Sequence, residues 1–290
     1  MRESYLLDVP AGFRLHVEEH AASTAANAKT IVLVNGAIAT TRSSAWATAL
    51  LRHLRVVLYD APHLGGSKKH NPQVCAPLSL QEEADMLLYI LDHFRADYLA
   101  SVSWGGLAAL QALSTNPASV DRAVICSFSG RLSTRSRLLL EELLALVRRK
   151  DNSGAAALVN DTLGRYLPRR SKVANRIYLS ALGQQERDHI AAHIERVLTL
   201  DLESFAPQLR AITAELLFIN GQLDDFTDHA GAAELALLMK NARVAVLPDA
   251  GHFLAGEGHR KAEAISRLMH SFLAASRADL AALPASAPLD

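Results

Sequence analysis

The sequence predicts an α/β protein with a mostly parallel sheet and helices on both faces. Short runs rich in Val, Ile, Leu and aromatic residues alternate along the chain with helical patterns, as strand–helix–strand units require. Several of these runs are apolar throughout, which is typical of strands covered on both faces. With 290 residues, half of them hydrophobic, the chain is long enough to bury a sizeable core.

Each predicted strand is short and each predicted helix has an apolar face. The strands are expected at Phe13–Val17, Thr30–Asn35, Arg55–Asp60, Tyr98–Val102, Arg122–Ser127, Glu215–Asn220 and Arg243–Leu247. The helices are expected at Ser43–Leu54, Ser79–Phe94, Trp104–Leu113, Ala230–Met239 and Ala262–Ala275. One start is well marked, because Ser79 is followed three residues later by Glu82 in a capping box.

One long stretch breaks the alternation of strands and helices. Residues 131–200 carry helical patterns, at Leu138–Val147 and at Ile177–Leu198, but no convincing strand. A helical insertion between two halves of an α/β sheet indicates a lid over the carboxyl ends of the strands, where such sheets bind ligands. We therefore expect a core at 1–130 and 205–275, a helical lid at 131–204, and a flexible Ala/Pro-rich tail at 276–290.

Composition excludes several classes of protein. Lys plus Arg and Asp plus Glu both total 30, so net charge indicates no nucleic-acid partner. Cys75 and Cys126 share no C-x-x-C spacing, which excludes a disulfide framework and a zinc finger. His189 and His193 are expected to form a solvated or lid-packing pair, and the sequence points to no metal and no cofactor. No apolar run follows Arg2, so we expect a cytoplasmic protein without a secretory signal.

The chemistry of the chain begins at Ser101-Val102-Ser103-Trp104-Gly105-Gly106. A strand runs into Ser103 and a helix of small residues runs out, which is the context of a nucleophile elbow that exposes a serine hydroxyl. Such a turn needs small residues two before and two after the serine: Gly105 is one, while Ser101 replaces the usual first glycine. The alternative is a Ser-Gly turn that only feeds a buried helix.

A nucleophilic serine requires a base and a carboxylate that orients the base. In α/β-hydrolases these follow in the order Ser, Asp/Glu, His, each after a later strand. Here Asp224 follows the strand that ends near Asn220, and His252 follows the strand that ends near Leu247. Asp225 is a competing carboxylate. Taken singly, Asp224 could be a helix cap and His252 a hydrogen-bonded loop histidine.

The strand at Thr30–Asn35 ends in a candidate oxyanion hole. In Asn35-Gly36-Ala37-Ile38, the backbone N–H of Ala37 could act with that of Trp104 to stabilise a tetrahedral oxyanion, although an ordinary turn would use Gly36 equally well. The next strand leads into a turn from Asp60 to Ser67, which we expect to be structural.

The chain resembles one family within the α/β-hydrolases over about residues 5–273, the bacterial 3-(3-hydroxyalkanoyloxy)alkanoate synthases that make the lipid precursor of rhamnolipid biosurfactants. The matching segments are Leu33–Thr41, Ser101–Gly106, Gly164–Pro168, Phe218–Gly221 and His70–Gln73. This resemblance implies an acyltransferase that joins two 3-hydroxyacyl groups, taken from acyl carrier protein or coenzyme A thioesters, through an acyl-enzyme on Ser103, with Asp224 and His252 completing the triad. One departure is Gln222-Leu223, where the family pattern has Ser-Trp; it bears on chain-length preference and local packing.

The lid carries an excess of positive charge. Residues 131–200 hold 13 Lys or Arg against 7 Asp or Glu, a net of +6, so the remainder of the chain carries −6. Candidate contacts for an acidic carrier protein or for coenzyme A phosphates are Arg148, Arg149, Lys150, Arg169, Arg170 and Lys172. The alternative is a solvated face. Similarly, the apolar stripe Leu138–Val147 could line an acyl tunnel or simply pack the lid on the core.

Two rival functions fit the same residues. A serine esterase or thioesterase would keep the triad and release single acids, because water could be the second nucleophile. A non-catalytic lipid-binding protein would bind acyl chains without turnover, although an intact triad argues against it. Oligomeric state and a peripheral association with the inner membrane are left open.

Overall fold

The computed structural model describes residues 2–23, 28–72, 76–276 and 279–280, and within this part of the chain eight strands form one sheet. The strands are β1 (Arg2–Val9), β2 (Phe13–His20), β3 (Thr30–Val34), β4 (Arg55–Tyr59), β5 (Tyr98–Val102), β6 (Arg122–Cys126), β7 (Glu215–Gly221) and β8 (Ala242–Leu247). Their order across the sheet is β1-β2-β4-β3-β5-β6-β7-β8. The β1–β2 and β2–β4 pairs are antiparallel and all other pairs are parallel. The predicted α/β class is therefore confirmed.

Helices cover both faces of this sheet. The core helices are α1 (Ala45–Leu50), α2 (Leu80–His93), α3 (Gly105–Leu113), α8 (Leu202–Ala211), α9 (His229–Ala236) and α10 (His259–Ala274). Successive strand residues point to opposite faces, so Val32 packs in the cluster with α2 and α3, while Ile31 and Leu33 pack in the cluster with α1 and α10. Both faces bury apolar side chains, which explains why β3 is buried along its whole length and apolar from Ile31 to Val34.

The structure adds one strand that the sequence pattern did not predict. Strand β1 pairs with β2 through a turn in which Ala11 and Gly12 have positive φ. As the outermost strand of the sheet, β1 exposes its first three residues, Arg2 to Ser4, so it lacks the continuous apolar character of the buried strands. Helix α1 is shorter than predicted, since only Ala45–Leu50 is α-helical within the expected range of 43–54.

Four helices occupy the chain between β6 and β7 in the region predicted as a lid. They are α4 (Thr134–Arg148), α5 (Asn152–Asp161), α6 (Arg169–Ser180) and α7 (Gln184–Thr199). The predicted helix Ile177–Leu198 is wrong as one element, because the chain breaks between Ser180 and Gln184. There the backbone N–H of Gly183, the N-cap residue of α7, donates to the Glu186 carboxylate at 3.1 Å. Leu140 and Leu144 of α4 pack with Ile190 and Ile194 of α7 in a separate apolar cluster.

Most of the predicted tail, 276–290, lies outside the described residues, as do Gln73 and Cys75. Of that tail, Leu280 is fully buried and belongs to the cluster with α1 and α10. Across the ranges that the structure covers, the helices are too short or too polar to cross a bilayer.

Candidate active site

Ser103 occupies a tight turn between β5 and α3 at the carboxyl edge of the sheet. Its φ is +51°, a conformation that L-residues rarely adopt. Gly105 is required two residues later, because a Cβ there would lie 2.5 Å from the carbonyl oxygen of Asn35. Ser101, two residues before, is fully buried and its Oγ has no hydrogen-bond partner. The backbone therefore presents the Ser103 hydroxyl above the sheet, as the elbow pattern predicts.

Three side chains from separate strand ends form one hydrogen-bonded series. The Oγ of Ser103 lies 2.9 Å from Nε2 of His252, and Nδ1 of His252 lies 2.9 Å from Oδ2 of Asp224. Both His252 and Asp224 are buried. With the imidazole neutral, Nδ1–H donates to Asp224 and Nε2 is left to accept the serine proton.

The two neighbouring acids have very different surroundings. Oδ1 of Asp224 accepts from the backbone N–H groups of Phe226 and Thr227, and its Oδ2 accepts from the Thr227 hydroxyl at 2.5 Å. Burial opposes the charge of Asp224, but the neighbouring His252 and these hydrogen bonds keep the pKa of Asp224 below its usual value. Asp225 is exposed instead and pairs with Arg135 at 2.5 Å. The structure thus places Asp224, and not Asp225, against His252.

The loop that carries His252 is held by a buried carboxylate. Glu257 accepts from the N–H of Gly251 at 2.9 Å and from that of Phe253 at 3.1 Å, on either side of His252. Lys261 balances its charge at 2.9 Å. The carbonyl of His252 accepts from the Ser127 hydroxyl at 2.6 Å. Backbone contacts therefore fix the position of the imidazole from both sides.

Sequence reasoning missed Thr227 and Glu257. Thr227 had a weak signal, since it stands three residues after a candidate acid. Glu257 had none, because its partners are backbone groups whose positions depend on the folded loop.

The loop after β3 lies beside Ser103. The backbone N–H groups of Ala37 and Trp104 donate to no protein acceptor within the described ranges, and both residues line a cavity with Ser103. Ile38 has a φ of +51°, and its carbonyl accepts from the hydroxyl of Tyr178 on α6 at 2.7 Å. The two residues predicted to form an oxyanion hole therefore line the same cavity as Ser103.

The turn after β4 supports this loop, in agreement with the structural role expected of it. The buried Asp60 accepts from the N–H of Thr41, which follows the Ala37 loop, and from the N–H of Gly66, both at 2.7 Å. The Ser67 hydroxyl donates to the Asp60 carbonyl, also at 2.7 Å.

Two cavities meet at Ser103 and Trp104. The first, of about 310 Å³ and called here the apolar cavity, runs between the sheet edge and α4 to α7, where Leu143, Val147 and Leu179 are among its walls. The second, of about 390 Å³ and called here the arginine-rimmed cavity, continues past Phe128 and Val197 to Arg131 and Arg137. The nucleophile position is thus accessible from two directions with different chemistry. The stripe Leu138–Val147 contributes Leu139, Leu140, Leu143 and Val147 to the apolar cavity, and buries Leu140, Leu144 and Val147.

The charged residues predicted to bind a carrier lie away from these cavities. Arg148 is exposed and pairs with Glu195, while Arg149, Lys150, Arg169 and Arg170 are exposed and line neither cavity. Lys172 donates to the carbonyl of Arg165 at 2.8 Å.

His189 and His193 are buried and pack between α7, in the predicted lid, and the core. The ring of His189 stacks on His63 and that of His193 contacts Trp104, so the lid-packing alternative holds and the solvated one does not. Burial lowers the pKa of all three histidines, that of His63 to about 3. Nowhere in the described ranges do His, Cys, Asp or Glu side chains form a group of three that could hold a metal ion.

Comparison with known proteins agrees with this fold and site. Residues 31–264 match the model of the alpha/beta hydrolase family. An (R)-3-hydroxydecanoyl-ACP:CoA transacylase of Pseudomonas aeruginosa is 36% identical over 87% of this chain and 83% of its own length. One from Pseudomonas putida is 36% identical over 93% of this chain and 91% of its own. Among solved structures, a hydrolase from Pseudomonas aeruginosa superposes with a TM-score of 0.75 at 24% identity, covering 94% of this chain and 99% of the other. The two transacylases confirm the family resemblance seen in the sequence. The chain belongs to the alpha/beta hydrolase family and, within it, to the family of the (R)-3-hydroxydecanoyl-ACP:CoA transacylases.

Proposed function

We propose that this protein is an acyltransferase that joins two 3-hydroxyacyl groups into a 3-(3-hydroxyalkanoyloxy)alkanoate through an acyl-enzyme on Ser103. The observation that carries the proposal is the series Ser103–His252–Asp224 at the point where two cavities meet. The relatives named above act on 3-hydroxydecanoyl groups of acyl carrier protein, which supports a carrier thioester as donor.

In the first half-reaction, Nε2 of His252 removes the proton of Ser103 as the serine oxygen attacks the thioester carbonyl. The N–H groups of Ala37 and Trp104 stabilise the oxyanion, while Asp224 stabilises the imidazolium. When the tetrahedral intermediate collapses, the carbon–sulfur bond breaks and His252 delivers its proton to the departing sulfur. The acyl chain is then an ester of Ser103 in the apolar cavity.

In the second half-reaction, the 3-hydroxyl of another 3-hydroxyacyl group attacks this ester. His252 takes the hydroxyl proton and returns it to the oxygen of Ser103 as the new ester leaves. Where the acceptor is itself a thioester, water must then cleave its carbon–sulfur bond to give the free alkanoate and the carrier thiol. Two cavities that share Ser103 suit this order of events, because the bound acyl chain fills one while the acceptor approaches through the other. An acyl chain that fills the apolar cavity also displaces water, which disfavours hydrolysis.

A second acceptor has specific support. The relatives' names state transfer to coenzyme A, whose thiol could attack the same acyl-enzyme and regenerate a thioester. The triad and the oxyanion N–H groups would act in the same way with either acceptor. Only the identity of the product therefore distinguishes the 3-hydroxyl group from the coenzyme A thiol as acceptor. A cytoplasmic location and a peripheral contact with the inner membrane stay predictions.

The test is mass spectrometry of the products formed from 3-hydroxydecanoyl carrier protein, with and without added coenzyme A. The proposal expects the dimeric hydroxyacyl ester as the main product. Mainly 3-hydroxydecanoyl-coenzyme A would identify the alternative acceptor, and mainly free acid would make the protein a thioesterase. The Ser103→Ala variant should fold, yet form no product and resist labelling by a fluorophosphonate.

A further inference from the structure

The arginine-rimmed cavity connects the surface to the nucleophile. Its inner end is formed by Ser103 and Trp104, and its outer end lies between the loop that follows β6 and the end of α7. The cations at this outer end are Arg131 and Arg137, and Asp201 lines the same mouth. A charged ligand that reaches into this cavity would therefore pass an arginine before it reaches the serine.

The two arginines differ in how their charge is compensated. Arg131 lies 3.6 Å from Asp228 and 3.3 Å from Glu234, so two carboxylates already hold its guanidinium. Arg137 is exposed, and Nη1 donates to the carbonyl of Leu198 at 3.3 Å. Arg137 takes part in none of the ion pairs formed by the side chains that the structure describes. Its exposed guanidinium can therefore bind an anion from solution.

The parts of an acyl carrier protein or coenzyme A thioester match the two cavities and the serine between them. Its acyl chain is apolar and suits the apolar cavity, its carbonyl must reach Ser103, and its pantetheine arm is polar and ends in a phosphate. Because Ser103 is the junction of the two cavities, an acyl chain in the first leaves the second for the arm. Arginine is the side chain best suited to phosphate, since its planar fork can donate two parallel hydrogen bonds.

We propose that the arginine-rimmed cavity is the passage for the phosphopantetheine arm of the thioester, and that Arg137 binds its phosphate. This inference rests on the proposed function and adds the location of the arm. It assigns recognition of the arm to Arg137 and not to the cations Arg148 to Lys150, which lie at the other end of α4 and outside both cavities.

Three thioesters of the same 3-hydroxydecanoyl group test the proposal: those of carrier protein, of coenzyme A, and of N-acetylcysteamine, whose short arm has no phosphate. A charge-assisted hydrogen bond contributes about 1.5–3 kcal/mol, which corresponds to roughly 10- to 100-fold in affinity. Arg137→Gln should therefore raise KM at least about tenfold for the two phosphate-bearing thioesters relative to the N-acetylcysteamine thioester. The matched control is Arg267→Gln on the exposed side of α10, which should change none of the three values.

A binding measurement without turnover gives a second readout. In the Ser103→Ala background, Arg137→Gln should weaken binding of 4′-phosphopantetheine about tenfold but leave binding of pantetheine unchanged. An equal rise in KM for all three thioesters, or a rise for the carrier-protein thioester alone, would overturn the phosphate site. If the wild-type protein transferred acyl groups from none of them, the proposed function itself would fail, and this inference with it.

Discussion

Two adjacent carboxylates at the end of β7 show how environment assigns a role to a residue. Asp224 is buried and receives hydrogen bonds from Thr227, Phe226 and His252, whereas Asp225 is more than half exposed and pairs with Arg135. Only a carboxylate that stays charged against the imidazole can orient His252 and stabilise it when it is protonated. The low pKa of Asp224 keeps it charged at neutral pH.

We expect Asp224→Asn to lower kcat by about 10³- to 10⁴-fold, because the amide cannot stabilise the imidazolium or hold the correct tautomer. Asp225→Asn should leave kcat nearly unchanged, because Asp225 pairs with Arg135 and not with His252, and an exposed ion pair contributes less than about 1 kcal/mol to stability. Steady-state kinetics on a thioester substrate, with circular dichroism to verify folding, measure both. A larger loss for Asp225→Asn would move the orienting role to Asp225.

Ser101 and Ser127 are both fully buried, but only the Ser127 hydroxyl forms a hydrogen bond. The Ser101 hydroxyl has no partner, while that of Ser127 donates to the His252 carbonyl at 2.6 Å. Ser101→Ala removes an unsatisfied polar group and should leave the free energy of unfolding unchanged or raise it by up to about 1 kcal/mol. Ser127→Ala, of the same size, should lower it by about 1–2 kcal/mol. Urea unfolding distinguishes them, and equal destabilisation by both would contradict this interpretation.

At this scale, the sequence predicted the residues whose position follows from a strand end. Ser103, Asp224 and His252 each follow an apolar strand, and parallel strands bring their carboxyl ends to one edge. Thr227 and Glu257 support that site through contacts to a side chain and to loop N–H groups. Their roles depend on folded loop geometry, which no local pattern encodes.

Helix α6 is connected directly to the candidate oxyanion loop. The Tyr178 hydroxyl donates to the carbonyl of Ile38, the residue after Ala37, and Ile38 itself has a left-handed backbone conformation. This hydrogen bond supports a strained turn that carries the Ala37 N–H. Displacement of α6 would break it, so the position of α6 is linked to the conformation of the loop that we propose forms the oxyanion hole.

We expect Tyr178→Phe to lower kcat about fivefold with little change in KM, since one neutral hydrogen bond contributes about 1 kcal/mol to the placement of the loop. The control is Tyr89→Phe, which removes a hydroxyl on α2 that lines neither cavity. Kinetics with a saturating thioester measure the effect. An unchanged kcat would show that the loop keeps its conformation without α6.

Two buried histidines of α7, His189 and His193, pack against the core beside the half-buried His63. His63 stacks on His189, and His193 contacts Trp104; burial lowers the pKa of each, that of His63 to about 3. They are neutral in the folded protein but titrate near pH 6.5 when unfolded. The unfolded chain therefore binds more protons in acid, so their contribution to stability is complete above about pH 6.5 and is lost progressively below it, for His63 down to about pH 3.

As pH falls from 6.5 to 4.5, each of these histidines should lower the free energy of unfolding by up to about 1.4 kcal/mol per pH unit. His63→Gln removes one titrating group, so its stability should fall less steeply over this range. His259→Gln, at a histidine with 86% of its side chain exposed, is the control and should follow the wild type. Urea unfolding at several pH values measures how steeply the free energy of unfolding changes with pH in each protein. Equal slopes for wild type and His63→Gln would mean that His63 is accessible to protons in the folded state.

Apolar periodicity predicted the buried strands and most of the helices. It missed the edge strand β1 and the break between α6 and α7, because both depend on neighbouring parts of the fold. The buried strands are mostly apolar, whereas β1 begins with Arg2, Glu3 and Ser4, which are exposed at the edge of the sheet. The break between α6 and α7 contains Gly183, yet the helical periodicity continues on both sides. A pattern of apolar residues alone could not separate these two helices.

The whole molecule has an uneven distribution of charge. Residues 131–200 carry a net charge of +6 and the remainder carries −6, although the total is zero. Several lid cations, including Arg149, Lys150, Arg169 and Arg170, are exposed. An acidic carrier protein would therefore be oriented towards the lid during its approach, independently of the chemistry at Ser103.

We expect the lid charge to govern the reaction with carrier-bound substrate but not with a small ester. Reversing Arg148, Arg149 and Lys150 together should raise the apparent KM for the carrier-protein thioester, and wild type and variant should converge as salt rises. The two KM values should converge because the Debye length, about 8 Å at physiological ionic strength, becomes shorter as salt is added and screens the surface charges. A p-nitrophenyl ester needs no carrier, so its kcat/KM should change little in either protein. Equal loss on both substrates would show instead that these cations stabilise the lid, for example through the pair of Arg148 with Glu195.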